Sequence, residues 1–300
     1  MMRLTVQTAL LILAVLVPAC GGPEPDRSPP DAPLGLIVAP GDGRAVLSWT
    51  PSLAGDLDYY RVWYRLEAAT THVLADSTTR TDTIVAGLEN GLTHYFSVTA
   101  LDEAGNQSER SREVSATPYN EVVLTAEGWT DWEAGEYAAA TGKFQAALNL
   151  DSDHAPAYTG LGWTLLKLND IATAASRFTA ALSRNPNDLD ARAGGLIAYR
   201  ELSTGLNQAR NHGSYLLNLD PAYVFSHDRN VDADLIRLVL AQVYFLSGPD
   251  YHAAAQDLLD VLVPGNGLDP AVPASWSVQG TAFSSYPAAL LALLACAASL

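Results

Sequence analysis

The sequence predicts a multidomain chain, an all-β sandwich followed by an all-α solenoid of repeated helical hairpins. The solenoid rests on a fixed step: Gly128 and Gly162 are 34 residues apart, as are Ala140 and Ala174, Phe144 and Phe178, Ala147 and Ala181, and Leu148 and Leu182. A period of that length carries two short helices per copy. The sandwich rests on a different pattern between Pro33 and Pro118, where short alternating runs are punctuated by turns such as Gly41-Asp42-Gly43 and Asn90-Gly91, the signature of paired antiparallel strands. A length of 300 residues also asks for more than one core.

Composition narrows the function classes. A hydrophobic fraction of 48% with 17% charged residues is that of a globular chain. The formal net charge of −16 gives an acidic surface, and nucleic-acid binding, which needs a basic footprint, is disfavoured. The acidic residues are scattered, as expected of a solvated surface rather than a dedicated tail.

Residues 1–19 contain Arg3, an apolar run from Ala9 to Val17, and Pro18-Ala19 ahead of Cys20, the layout of an export signal. The apolar run is shorter than the about 20 residues of a membrane-spanning helix. Cys20, directly after Val17-Pro18-Ala19 and before Gly21-Gly22, resembles the processing site of a bacterial lipoprotein. That resemblance implies lipid on Cys20 and an exported protein anchored in the cell envelope, with the outer membrane expected. An ordinary cleaved signal with an incidental cysteine is the alternative. Cys296 is the only other cysteine, so no structural disulfide is expected. Residues 20–32 are rich in Gly, Pro and charge, a composition that extends as a spacer instead of building a core.

Residues 33–118 form the predicted sandwich, with candidate strands at Gly35–Ala39, Ala45–Trp49, Tyr59–Arg65, Thr71–Leu74, Asp82–Val85, Thr93–Leu101 and Glu113–Ala116. Within them stand Ala45-Val46-Leu47-Ser48-Trp49, Tyr60-Arg61-Val62-Trp63-Tyr64, Gly87-Leu88-Glu89-Asn90-Gly91, and the loop Asp102-Glu103-Ala104-Gly105-Asn106-Gln107-Ser108. Together these resemble a fibronectin type III domain. Where that family keeps its corner tyrosine this chain has His94, expected to hold the corner rather than to catalyse. The domain reads either as a spacer or as a ligand-binding module. In the second case Trp63, Tyr60 or Tyr95 would present aromatic faces to carbohydrate, as an accessory module beside an envelope glycan enzyme.

The clearest helical copy is residues 155–188, where Tyr158, Leu161-Gly162, Ala174, Phe178, Ala181 and Pro186 resemble the tetratricopeptide repeat. Ala174, Phe178 and Ala181 share one helix face, and the small residues admit a close neighbour. Further copies are expected at 120–154, 189–221 and 234–268, the third having Gly213 in place of the aromatic. An insertion, Ala222–Val231, precedes the fourth. Residues 269–300 are a Gly/Pro-rich connection and an apolar helix, Tyr286–Leu300, which either closes the array or serves self-association.

The resemblance implies a concave face lined by the first helix of each pair, gripping a protein or peptide partner. Its matching positions are Thr125, Trp129, Trp132 and Glu133, then Thr159, Trp163, Leu166 and Lys167, then Ile197, Arg200 and Glu201, and finally Gln242 and Phe245. Trp129 and Trp163 stand one repeat apart and would either anchor a guest or pack against a neighbouring helix or the sandwich. Lys167 and Arg200 would orient a carboxylate. No cofactor or metal is expected. Asp151, Asp153 and His154 suit turn capping better than coordination, and His227, Asp228, Asp232 and Asp234 form a second acidic group inside the insertion. Phosphate loops, Cys-x-x-Cys pairs and nucleophile motifs are missing, so the leading expectation is a non-catalytic scaffold.

Overall fold

A computed structural model describes residues 26–202 and 204–299. The export signal, Cys20 and the linker as far as residue 25 lie outside the described residues. Two compact units emerge, one drawn from the strands before Thr117 and one that holds the helices; each is taken by itself.

In the sandwich, β1 (Ile37–Gly41), β2 (Arg44–Ser48) and β5 (Asp82–Ala86) form one sheet in the order β1-β2-β5. The other runs β4-β3-β6-β7, from β3 (Leu57–Leu66), β4 (Val73–Thr78), β6 (His94–Asp102) and β7 (Val114–Ala116). Strands β3 and β6 pair antiparallel with Tyr60 opposite Ala100, Val62 opposite Val98 and Tyr64 opposite Phe96. Residues two apart face the same side of a strand, which puts Tyr60, Val62, Phe96, Val98 and Ala100 together in the core. Trp49 meets Tyr60 edge-on at 5.3 Å, and the Tyr60 hydroxyl accepts from the Ser52 amide at 2.7 Å. Strand β4 begins two residues later than expected and runs on to Thr78, and its register shifts against β3 between Val62 and Trp63. His94 is buried, its ring 6.1 Å from Tyr64 and 6.4 Å from Phe96.

A polar tie closes one edge of this unit. Glu113 accepts from Arg65 through Nε at 2.9 Å and Nη2 at 2.7 Å, and lies 2.8 Å from His72 Nε2. The Arg65 hydrogen bonds, reinforced by His72, hold its carboxyl down to about 2.

The helical unit stacks four hairpins: α1 (Glu121–Glu133) with α2 (Tyr137–Leu150), α3 (Ala155–Lys167) with α4 (Ile171–Arg184), α5 (Leu189–Glu201) with α6 (Leu206–Leu219), and α7 (Ala233–Leu246) with α8 (His252–Leu262). Helix starts are capped where the sequence supplies a short polar side chain: Asn120 accepts from Val123 N, Asp170 from Thr173 N, Asp188 from Ala191 N, and Asp232 from Leu235 N. At the α2–α3 turn Asp151 accepts from the Asp153 amide at 2.9 Å, while His154 stands at the N-cap of α3 without a side-chain cap bond.

Phe144 and Phe178 are the pegs of the stack. Both are fully buried, and each ring lies against a glycine of its own hairpin and a glycine of the next. A Cβ on Gly128 would fall 2.9 Å from the Phe144 ring and one on Gly160 only 2.2 Å; at Gly162 and Gly194 the distances to the Phe178 ring would be 2.6 and 2.2 Å. The third hairpin inverts the arrangement. Leu196 stands 34 residues after Gly162, and Gly213, at the aromatic's place, leaves room for it: a Cβ there would meet Leu240 at 3.0 Å and Leu196 at 3.2 Å.

A short hairpin of β8 (Ser277–Val278) and β9 (Thr281–Ala282) leads into α9 (Tyr286–Ala297). Its Leu290, Leu293 and Leu294 are buried with Ala241, Leu259 and Leu268, so α9 closes the array over α7 and α8 with one face. Among the described residues no helix is long and apolar enough to cross a membrane.

Two outcomes test this packing. Gly160→Ala overpacks the Phe144 notch and should cost about 1–3 kcal/mol, seen as a fall in melting temperature. Gly142→Ala, on α2 with nothing within 4 Å, should stabilise by about 0.4–1 kcal/mol. In the sandwich, Glu113 is ordinarily near 4.5 and is held to about 2 in the fold, so its contribution is complete above 4.5 and fades as pH falls through that window. The melting-temperature gap between wild type and Glu113→Gln should therefore be open at pH 7 and close between pH 4.5 and 2.

Candidate functional site

The first helices of the hairpins do present the aromatic side chains to a common inner face, but the chain fills that face itself. Residues 222–231, between α6 and α7, turn inward. Phe225 is fully buried; its ring stacks on Trp163 at 4.3 Å and 17° and meets Trp129 and Trp132 edge-on at 5.8 and 5.9 Å. His227 lies flat on Trp129 at 3.9 Å and 5°. Trp132 and Trp163 are consequently only 4% and 3% exposed. Of the two alternatives for Trp129 and Trp163, a guest or a contact within the chain, the contact within the chain is the one found, made by the α6–α7 connection.

Polar contacts follow the same segment. His227 Nδ1 is 2.7 Å from Glu133 Oε1, and Lys167 Nζ donates to Asp228 Oδ2 at 3.1 Å while standing 5.0 Å over the Trp132 ring. Partial burial opposes ionisation of Asp228, yet the Lys167 and Asn230 donors hold its carboxyl below the usual range. Deeper in, the Tyr223 hydroxyl donates to Asp190 Oδ1 at 2.8 Å and the Trp163 indole N–H to the Asp190 carbonyl at 3.1 Å. Burial pushes the Asp190 carboxyl up despite the Tyr223 hydrogen bond, and burial beside that carboxyl raises the Tyr223 hydroxyl in turn. Asp232, grouped with His227 and Asp228 in the sequence, instead caps α7, and Asp234 pairs with Arg237 at 2.7 Å.

Other expected lining residues turn elsewhere. The Thr125 hydroxyl donates back to the Glu121 carbonyl at 2.7 Å, and that of Thr159 to Asp188 at 2.7 Å. Leu166 and Ile197 are partly buried against the core.

The far end of the inner face stays open. There Arg200, Glu201, Gln242 and Phe245 border a cavity of about 480 Å³ whose remaining wall is Leu246 of α7 with Leu291, Leu294, Ala295 and Ala298 of the C-terminal helix segment. Arg200 Nη1 donates to Gln242 Oε1 at 2.5 Å, and its Nη2 pairs with Glu201. Phe245 is stacked on His252 at 4.9 Å and 10°. Such a site has apolar walls, a pre-oriented guanidinium–carboxylate pair at its rim, and room for side chains of a partner.

Spacing rules for repeats find the first-helix residues but not Phe225, His227 or the α9 wall. The one local sign was aromatic density in Tyr223-Val224-Phe225, unusual for an exposed connection. Elsewhere, oxygens of Asp26, Asp56 and Asp102 lie within 4.8 Å of one another; buried Asp102 is already satisfied by Asn106 at 2.8 and 2.9 Å, and Asp26 and Asp56 are exposed.

The cavity depends on α9 docking by one face. Leu290→Ala, at a fully buried position, should cost about 2–5 kcal/mol, whereas Leu291→Ala, at 55% exposure, should stay within about 0.5 kcal/mol; parallel thermal melts check the contrast.

Comparison with known proteins agrees with both architectures. Residues 31–117 match the family model of the fibronectin type III domain, and residues 131–198 that of the tetratricopeptide repeat. An amylopullulanase of Thermoanaerobacterium thermosulfurigenes is 32% identical over 93 residues, which are 31% of this chain and 5% of the relative. A chitinase of Paenibacillus xylanexedens is 34% identical over 116 residues, 38% of this chain and 21% of the relative. The chain thus corresponds to a small part of the length of these relatives. Among solved structures, the twitchin kinase region from C. elegans aligns at 22% identity and a TM-score of 0.29, over 31% of this chain and 17% of that one. Strand order, helical step and family matches converge on a fibronectin type III domain followed by tetratricopeptide repeats.

Proposed function

We propose that this chain is a non-catalytic scaffold of the bacterial cell envelope, tethered by lipid on Cys20 and holding a protein or peptide on the inner face of its helical hairpins. Both domain types typically lack catalysis, and tetratricopeptide repeats generally mediate protein–protein interaction. The observation that carries the reading is the open cavity of about 480 Å³ between α7 and α9, with Arg200, Glu201 and Gln242 at its rim. A partner would seat an apolar side chain between Phe245 and Leu291 and meet the Arg200–Glu201 pair with a polar group. The tryptophan-lined half of the face, being filled, plays no part in this docking. Exposed Leu291 and Ala295 on α9, with Ala298 directly after it, would equally meet a second copy of the chain.

A second reading is favoured by the relatives named as an amylopullulanase and a chitinase: an accessory, carbohydrate-binding role for the sandwich. Tyr60 drops out of it, being 1% exposed in the core. Trp63 and Tyr95 remain, the first held by Thr99 at 3.1 Å with Arg110 5.1 Å over its ring, the second beneath Arg65 at 4.3 Å.

A photo-reactive residue in place of Leu246, at the cavity rim, should yield a discrete adduct with an envelope protein in intact cells. Phe245→Ala or Leu291→Asp in the same chain should abolish that adduct, and an adduct indifferent to both substitutions would sink the docking site. Retention of the full-length chain on insoluble glucan or chitin, lost in Trp63→Ala, would move the assignment to the carbohydrate reading.

A further inference from the structure

Residues 222–231 contact the groove as a bound peptide would. Side chains alternate: Tyr223 and Phe225 point inward, while Ala222, Val224 and Ser226 are exposed. One aromatic ring enters the slot against Trp163 at 4.3 Å, the imidazole two residues on lies on Trp129 at 3.9 Å, and the acid after it reaches Lys167 at 3.1 Å. Extended peptides are recognised through such alternate side-chain pockets, aromatic anchors and a single charge-assisted bond.

The segment's own backbone bonds are few and local, among them Tyr223 N to the Asp220 carbonyl at 3.3 Å. Phe225 N donates to the Val231 carbonyl and Val231 N to the Asp228 carbonyl, both at 2.9 Å, and an isolated bridge joins Val224 to Asp232. Departure from the groove therefore breaks no helix and no sheet ladder, while its ends stay attached to α6 and α7. What holds the segment is its side chains: Tyr223, Phe225 and Val231 are buried with the core of the repeats, so local opening costs their burial while the helix pairs stay formed.

We infer that residues 222–231 are a tethered ligand of the Trp129–Trp163–Lys167 groove, exchangeable with an external peptide that carries an aromatic residue followed three positions later by a carboxylate. Tethering sets an effective concentration in the millimolar range, so the groove is a gated second site that takes a guest only when the guest is locally abundant or the segment is drawn away. It is separate from the open cavity at Phe245, and failure of that docking site leaves this one untouched.

Hydrogen exchange on the full chain provides the first test. The Phe225 and Val231 amides should exchange about 100-fold faster than amides within α4; equal protection would show that the segment leaves only when the whole unit unfolds, and overturns the proposal. The second test replaces residues 222–231 by a Gly/Ser linker of equal length and adds a synthetic peptide of residues 222–231. This chain should bind the peptide about tenfold or more tightly than wild type does, and Lys167→Glu in the replaced chain, or alanine for phenylalanine in the peptide, should weaken binding by about fivefold or more. A folded, replaced chain that ignores the peptide overturns the inference, as does a replaced chain that cannot fold, since a segment the fold requires is no exchangeable ligand.

Discussion

Phe144 and Phe178 sit in notches made of glycine, and the helical array takes its geometry from that fit. An aromatic ring on the second helix of a hairpin needs flat, Cβ-free surface on the two first helices it touches, its own and the next. Gly128 with Gly160, and Gly162 with Gly194, supply it. Because interiors pack at crystal-like density, the ring and its two glycines leave little freedom in how one hairpin is set on another. In the third hairpin bulk and gap change sides, Leu196 against Gly213, and the stack goes on to Leu240 of α7. The repeat conserves filled volume between neighbours rather than residue identity.

That spacing also decides what the inner face looks like. Trp129 and Trp163 arrive one repeat apart, with Trp132 one turn along, and without a cover they would expose a broad aromatic patch on an otherwise acidic protein. Monomeric proteins rarely leave such a patch bare. Here the connection between α6 and α7 covers it with Phe225 and His227 and matches the groove's charges with Asp228. The accessible part of the face is displaced toward the last hairpin, where α9 adds a wall that the repeats alone would not provide.

The sandwich solves its packing by strand alternation instead. Tyr60, Val62, Phe96 and Val98 interlock across β3 and β6, and the Arg65–Glu113–His72 cluster ties a strand end to its neighbours. Aromatic side chains such as Trp63 are held in place by Thr99 and Arg110 and lie outside the core. A rigid spacer and a platform for a flat ligand make the same demands on this framework.

The amino-acid sequence by itself determined the two architectures, because both are written in local periodicity. Alternation of two and a step of 34 put Val62 and Val98 inside one unit and Ala174, Phe178 and Ala181 inside the other. The step also pointed to the first helices, whose Trp129, Trp132 and Trp163 come together around Phe225. Only the tertiary structure decided which of them are open. Phe225 reaches Trp163 across 62 residues of chain, a closure with no period and no motif, so spacing could not show that the tryptophan half is filled. Likewise the uncharged α9 was visible as a helix, while the division of its surface into a buried Leu290 face and an exposed Leu291 face came from docking on α7 and α8, an encounter that local sequence does not encode.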